Sequence, residues 1–137
     1  MSMTINIDAK NVVLGRLATF VAKELIKGES VNIINAEKAI ITGNPSKIID
    51  RYMQRRRRGT PHHGPFISKT PEKIVKRTIR GMLPFHSKKG RDYYKKLKVY
   101  VSIPDKLDGE KKEIKAKEIR SEFITIGKLS KALGYKV

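Results

Sequence analysis

The sequence predicts an α/β domain: three α/β/α layers around a small, mostly parallel central sheet, with a basic helix-loop extension. Three observations predict it. Strand-like and helix-like patterns alternate from the N-terminus with short joints between them. The run VNIIN is short and β-branched, as a strand covered on both faces is. The charge is gathered in one stretch: residues 51–100 hold 16 basic and 2 acidic residues, net +14, against +1 for residues 1–50 and +3 for residues 101–137. With 137 residues, no internal repeat and no linker, residues 1–137 read as a single domain. Within it, 51–98 is the basic helix-loop region and 122–137 a C-terminal strand and short helix.

TINID, Thr4 to Asp8, alternates and predicts a strand. In LGRLATFVAKELIKG the apolar Leu14, Leu17, Ala18, Val21, Ala22 and Leu25 recur at helical spacing, and Gly28 is placed to stop the helix in a left-handed turn. Val31 to Asn35 is the second strand, joined to the first by a right-handed crossover. AIIT, Ala39 to Thr42, reads either as a further strand or as part of a turn. Asn44 then caps a helix of about ten residues that carries Pro45 at its first position and an apolar stripe of Ile48, Ile49, Tyr52 and Met53. The arginines begin where that stripe ends.

Gly59 to Lys69 is expected to be a loop. Thr70 caps the next helix, with Ile74, Val75 and Ile79 inward and Lys73, Lys76, Arg77 and Arg80 over much of the rest. Gly81 ends it in a turn that a side chain at this position should disrupt, and Pro84 prevents resumption. Ser87 to Lys96 predicts a short basic helix, and LKVYVSI, Leu97 to Ile103, a strand. Residues 105–118 read as a surface connection or irregular helix. The chain closes in an amphipathic helix whose apolar side, Leu129, Ala132 and Leu133, is expected to meet a neighbouring protein.

The composition excludes several classes of function. There is no cysteine, so neither disulfides nor thiolate metal sites exist, and a reducing cytosol is the expected compartment. No apolar run is long enough for a membrane helix, and MSMTINID lacks the basic start and apolar core of a secretory signal. Glu72 and Asp92, the acidic residues of the basic third, read as helix N-terminal residues facing the macrodipole, which leaves no seat for catalysis. His62 and His63 are adjacent and point opposite ways on extended chain. His86 is distant, and no carboxylate cluster joins them, so contact with a sugar, a phosphate or a base suits them better than a metal. Thr42, Gly43 and Asn44 lack the remainder of a nucleotide-hydrolysing loop, but backbone N–H groups there can meet a phosphate.

The cations themselves are the strongest signal. Arg51, Arg55, Arg56, Arg57, Arg58, Lys69, Lys73, Lys76, Arg77, Arg80, Lys88, Lys89, Arg91, Lys95, Lys96 and Lys98 are interleaved with Tyr52, Phe66, Phe85, Tyr93 and Tyr94. A single-sign field this dense needs a standing counter-charge, and arginine's planar fork matches phosphate oxygens in pairs. Aromatic rings stack on unpaired bases, although Tyr52 lies on an apolar stripe and reads as core. No helix-turn-helix, zinc-finger or RNP signature is present, so folded RNA recognised by charge and shape is the expected partner. A DNA-compacting protein, a regulatory RNA-binding protein and a merely solvated or membrane-attracted surface are the alternatives.

Five motifs stand in register: LGRLA (Leu14 to Ala18), INAEK (Ile34 to Lys38), ITGN (Ile41 to Asn44), RGMLP (Arg80 to Pro84) and KLKVY (Lys96 to Tyr100). Through them the chain resembles the universal large-subunit ribosomal protein family thirteen over residues 4 to about 104. RYMQRRRRGTPHHGPF and the closing ITIGKLSKALGYK resemble its archaeal and eukaryotic branch, and the length resembles archaeal members. The resemblance implies an α/β/α fold, binding to large-subunit ribosomal RNA beside neighbouring ribosomal proteins, and a structural role in assembling that subunit in the cytoplasm. It implies no catalysis, no cofactor and no small-molecule substrate. RNA-facing positions carry over to Arg80, Gly81, Met82 and Pro84, to the basic residues that follow, and to Thr42 and Asn44.

Overall fold

The computed structural model describes residues 4–57, 69–104, 110–112, 114 and 121–135. Its strands are β1 (Thr4–Asp8), β2 (Ser30–Ile34), β3 (Ile40–Thr42), β4 (Leu97–Val99), β5 (Glu110–Lys112) and β6 (Phe123–Thr125). The helices are α1 (Leu14–Ile26), α2 (Pro45–Arg57), α3 (Pro71–Arg80), α4 (Lys88–Lys95) and α5 (Ile126–Ala132). The architecture is α/β with a small, mostly parallel sheet, as the sequence predicts. Strands β4, β2, β1 and β5 lie side by side in that order, all parallel.

Register decides which face of the sheet is apolar. Ile5 pairs with Val31 and Val31 with Leu97; Ile7 pairs with Ile33 and Ile33 with Val99. Because side chains alternate along a strand, these residues share one face. They join Leu17, Val21 and Leu25 of α1 and Ile74, Val75 and Ile79 of α3 in one cluster. Each large apolar side chain buried there contributes about 1.5–3 kcal/mol relative to exposure. The alternate positions carry Asn6 and Asn32, and Asn32 Nδ2 donates to Asn6 Oδ1 at 3.0 Å.

Helix ends follow the local chemistry. Gly28 takes φ +95° just past α1 and its N–H donates to Leu25 O at 3.0 Å, the left-handed stop the sequence predicts. Asn44 Oδ1 accepts from the backbone N–H groups of Ser46 and Lys47 at 3.0 and 3.3 Å, with Pro45 opening α2. Ser87 accepts from Gly90 N–H at 3.1 Å to start α4.

Several expectations change. Helix α2 runs 13 residues, so the arginines through Arg57 lie within it rather than after it. Arginine is a good helix former, and an apolar stripe marks only where a helix touches the core. AIIT is a strand, but β3 pairs antiparallel with β6 and stands outside the parallel sheet. Strand β4 stops at Val99: Tyr100 and Ser102 give their carbonyls to Ala36 and Asn35 N–H, and Ser102 takes φ +64°. Within 105–118, β5 adds to the edge of β1, where backbone pairing tolerates a charged sequence. Thr70 occupies the N-cap position of α3 without a side-chain capping bond. Asp92 is the fifth residue of α4, beyond its first turn, so the macrodipole does not explain it. Gly81 has φ −64° and an added Cβ would come no closer than 3.5 Å to Thr78 O, so this turn needs no glycine. The apolar side of α5 is covered by this chain's own core: Ile126 and Leu129 are fully buried.

Candidate nucleic-acid interface

Lys73, Lys76, Arg77 and Arg80 are spaced i, i+3, i+4 and i+7 on α3, which places them along one face. Ile74, Val75 and Ile79 hold the opposite face against the core. The helix therefore sinks its apolar side and raises a cationic ridge. That ridge forms a wall of a groove of about 800 Å³. Tyr52 and Arg55 of α2 contribute to the lining, as do Leu83, Phe85 and His86 from the turn after α3 and Tyr94 from α4.

Three of the groove's five cations, Arg55, Lys76 and Arg80, are seated on rings rather than paired with carboxylates. The Arg80 guanidinium lies 3.9 Å from the Phe85 ring centroid, Lys76 Nζ 5.2 Å from that of Tyr94, and the Arg55 guanidinium 5.7 Å from that of Tyr52. Phe85 and Tyr94 meet edge to face at 5.5 Å and 88°. Lys76 and Arg80 are one turn apart, so α3, the turn and α4 close into a ladder of cation, ring, ring and cation. Each cation–ring contact contributes about 0.5–1 kcal/mol where solvent reaches it, and the ring pair about 0.5–1.5 kcal/mol. Among the described residues, no carboxylate lies within ion-pair distance of Arg55, Lys73, Lys76, Arg77 or Arg80. Burial pushes the Tyr52 phenol above its ordinary pKa of 10.0, against the opposing pull of Arg55 and Arg51, so it stays a protonated donor at neutral pH.

Gly90 is what lets α4 close this arrangement, and the sequence reading passed over it. A Cβ at Gly90 would lie 1.9 Å from Pro84 O and 2.3 Å from Pro84 C. Helix α4 thus rests directly on the backbone of the turn after α3, which sets Tyr94 beside Phe85. A glycine inside a basic helical pattern, six residues after a proline, was the available signal.

The residues singled out from sequence divide into groups. Arg55, Lys73, Lys76, Arg77, Arg80 and Gly81 come together at the groove. Lys88, Lys89, Arg91 and Lys95 are exposed on α4, Lys98 on β4, and Arg51 one turn before Arg55 on α2. Lys69 is exposed, and its carbonyl accepts from Ser130 Oγ. Lys96 Nζ donates to Gly28 O at 3.2 Å, so this cation also closes the C-terminal end of α1. Met82 and Pro84 are exposed on the turn, and Met82 Sδ accepts from Thr19 Oγ1 at 3.7 Å. Thr42 and Asn44 stand at the far end of α2, roughly 16 Å from Arg55 at 1.5 Å per residue. The N–H groups of that turn are engaged: Gly43 donates to Glu122 O and those of Ser46 and Lys47 to Asn44. Arg58, His62 and His63 lie outside the described residues, as do the side chains of Arg56 and Arg57. Phe85, His86 and Tyr94 line the groove without having been assigned to it; Phe85 and Tyr94 stood out in the sequence only as aromatics between charges.

Comparison with known proteins identifies the family. The model of the family described as Ribosomal protein L13 matches residues 2–106. The chain is 44% identical over 136 residues to the large ribosomal subunit protein uL13 of Methanosarcina barkeri, covering 95% of this chain and 97% of that one. It is 41% identical over 140 residues to the protein of that name from Methanopyrus kandleri (96% and 87%) and 38% identical over 136 residues to that from Archaeoglobus fulgidus (95% and 87%). Five motifs in register, an α/β core and a match over most of the length lead to one assignment: this chain belongs to the ribosomal protein L13 family.

Proposed function

We propose that the chain is a structural constituent of the large ribosomal subunit and clamps large-subunit rRNA during assembly. The family is a structural one, and the chain is not an enzyme. The observation that carries the clamp is the groove, where α2 and α3 bring five Lys and Arg side chains together without a carboxylate among the described residues that line it. Like charges held this close repel, and RNA phosphates relieve that repulsion on both partners. Exposed Lys88, Lys89, Arg91 and Lys95 extend the surface along α4. The core behind α3 keeps the ridge in place, so little backbone ordering is needed there on binding. In this reading the partners are large-subunit rRNA and neighbouring ribosomal proteins, and the chain works in the cytoplasm within the ribosome. Arg58, His62, His63, Thr42 and Asn44 are proposed as additional contacts.

Affinity for large-subunit rRNA fragments across a salt series tests the clamp. If the five groove cations and the four on α4 all neutralise phosphates, log K falls against log salt with a slope of about −6 to −8. A slope near −2 shows that most of these cations touch no phosphate and removes the proposal. Duplex DNA competing equally at fixed salt assigns the surface to nucleic acid in general and removes the rRNA-selective clamp.

A further inference from the structure

A surface that met only duplex phosphates would need cations and nothing else. This one sets half-buried aromatic rings among them, inside a concavity. Its volume of about 800 Å³ falls in the roughly 300–1,000 Å³ range of pockets that enclose small molecules. A space of that volume accepts a nucleotide. Arg80 lies over Phe85 at a stacking separation, so one side of its guanidinium is covered by the ring while the side chain remains half-exposed to the groove. A base lies flat on a guanidinium plane as it does on a ring. Tyr94 packs edge to face with Phe85 and helps hold that ring in place. Tyr52 lines the same groove and keeps its phenolic proton at neutral pH.

We infer that this groove takes one unpaired nucleotide of the bound RNA, its base stacked on the Arg80–Phe85 pair and its flanking phosphates held by Lys73 and Arg77. The inference rests on the clamp reading and adds to it a site for a base, where the clamp needs only backbone charge. It also accounts for the seating of the cations. Lys76 and Arg80 are anchored by rings, whereas Lys73 and Arg77 are exposed and free of ring contacts among the described residues, as side chains that follow a backbone should be.

The test uses the full chain and two probes of equal charge: a short single-stranded oligoadenylate, and the same strand with its central nucleotides abasic. The base-bearing strand should bind roughly tenfold more tightly at one salt concentration. Arg80→Lys keeps the charge but has no flat face. It should reduce that ratio to about two or less while leaving the salt slope unchanged. Phe85→Leu, used if its melting profile matches the parent, should do the same. Equal affinity of the parent for both strands with a steep salt slope leaves the clamp standing and overturns the base site. So does an Arg80→Lys variant that keeps the full ratio. Weak, salt-independent binding of both strands overturns the clamp and the base site together.

Discussion

Gly90→Ala separates what helix propensity predicts from what the packing requires. Alanine is about 1 kcal/mol better than glycine in a helix interior, so the sequence alone predicts a more stable protein. The structure reverses the sign. The new Cβ would sit 1.9 Å from Pro84 O, and Cβ contacts under 3.0 Å essentially never occur, so α4 and the turn must separate by about 1 Å. Pro84 O cannot yield easily, because it already accepts from Ser87 N at 3.0 Å and Ser87 Oγ at 2.9 Å. Overpacking of this kind costs about 1–3 kcal/mol, and losing the Phe85–Tyr94 edge contact adds about 0.5–1.5 kcal/mol. After subtracting the gain in propensity, the net loss is about 2 kcal/mol. For a chain of this size that lowers Tm by roughly 6–10 °C. Thermal unfolding followed by circular dichroism measures it. The control is Gly81→Ala, where φ is −64° and the nearest neighbour is 3.5 Å away; its Tm should match the parent or rise slightly. A Gly90→Ala protein as stable as the parent would refute the close approach of α4 to the turn and, with it, the geometry of the groove.

Two further outcomes follow from the caps and the buried phenol. Asn44→Ala removes the acceptor for Ser46 and Lys47 N–H and should cost about 1 kcal/mol in urea unfolding, with the slope against denaturant unchanged. Tyr52 has a folded-state pKa above 10.0, raised by burial, so its contribution is intact below pH 10.0. Above that, the unfolded chain releases the phenolic proton before the folded one does, and stability falls as pH rises through the folded pKa. Tyr52→Phe should therefore lose less stability than the parent between neutral and strongly alkaline pH; identical profiles would show that the phenol is not shielded.

The elements with a strong local signal were legible. TINID and VNII alternate or branch as strands do, α1 shows an unbroken apolar stripe ending at Gly28, and Asn44–Pro45 announces α2. Family membership was legible for a different reason, since it rests on motifs spread along the chain rather than on any local preference. What sequence could not show depends on three-dimensional neighbours. β3 finds its partner in β6, some eighty residues later, and no local pattern specifies that pairing. Residues 110–112 carry no strand pattern because backbone pairing with β1 places them at the sheet edge. Gly90 stood out in the sequence only as a glycine inside a basic helical pattern; the path of the turn shows that it, and not Gly81, is the position without room for a side chain. The cationic face of α3 could be counted from its spacing, but the rings that complete the groove come from the turn and α4.

The choice of partner for each cation has a functional consequence. A carboxylate beside Lys76 or Arg80 would hold the side chain in place, but it would also cancel the charge, and an incoming phosphate would have to displace it. A ring face orients the cation through its quadrupole and leaves the net charge standing. The groove thereby keeps Lys76 and Arg80 anchored and undischarged in the free protein, and the Phe85–Tyr94 contact makes the position of one depend on that of the other. Repulsion among these cations remains in the free state and is offset by the burial of Ile74, Val75 and Ile79 beneath the same helix. Stability of the core and readiness of the groove are thus carried by opposite faces of α3. A substitution on the cationic face should change RNA affinity with little effect on melting, and one on the apolar face should do the reverse.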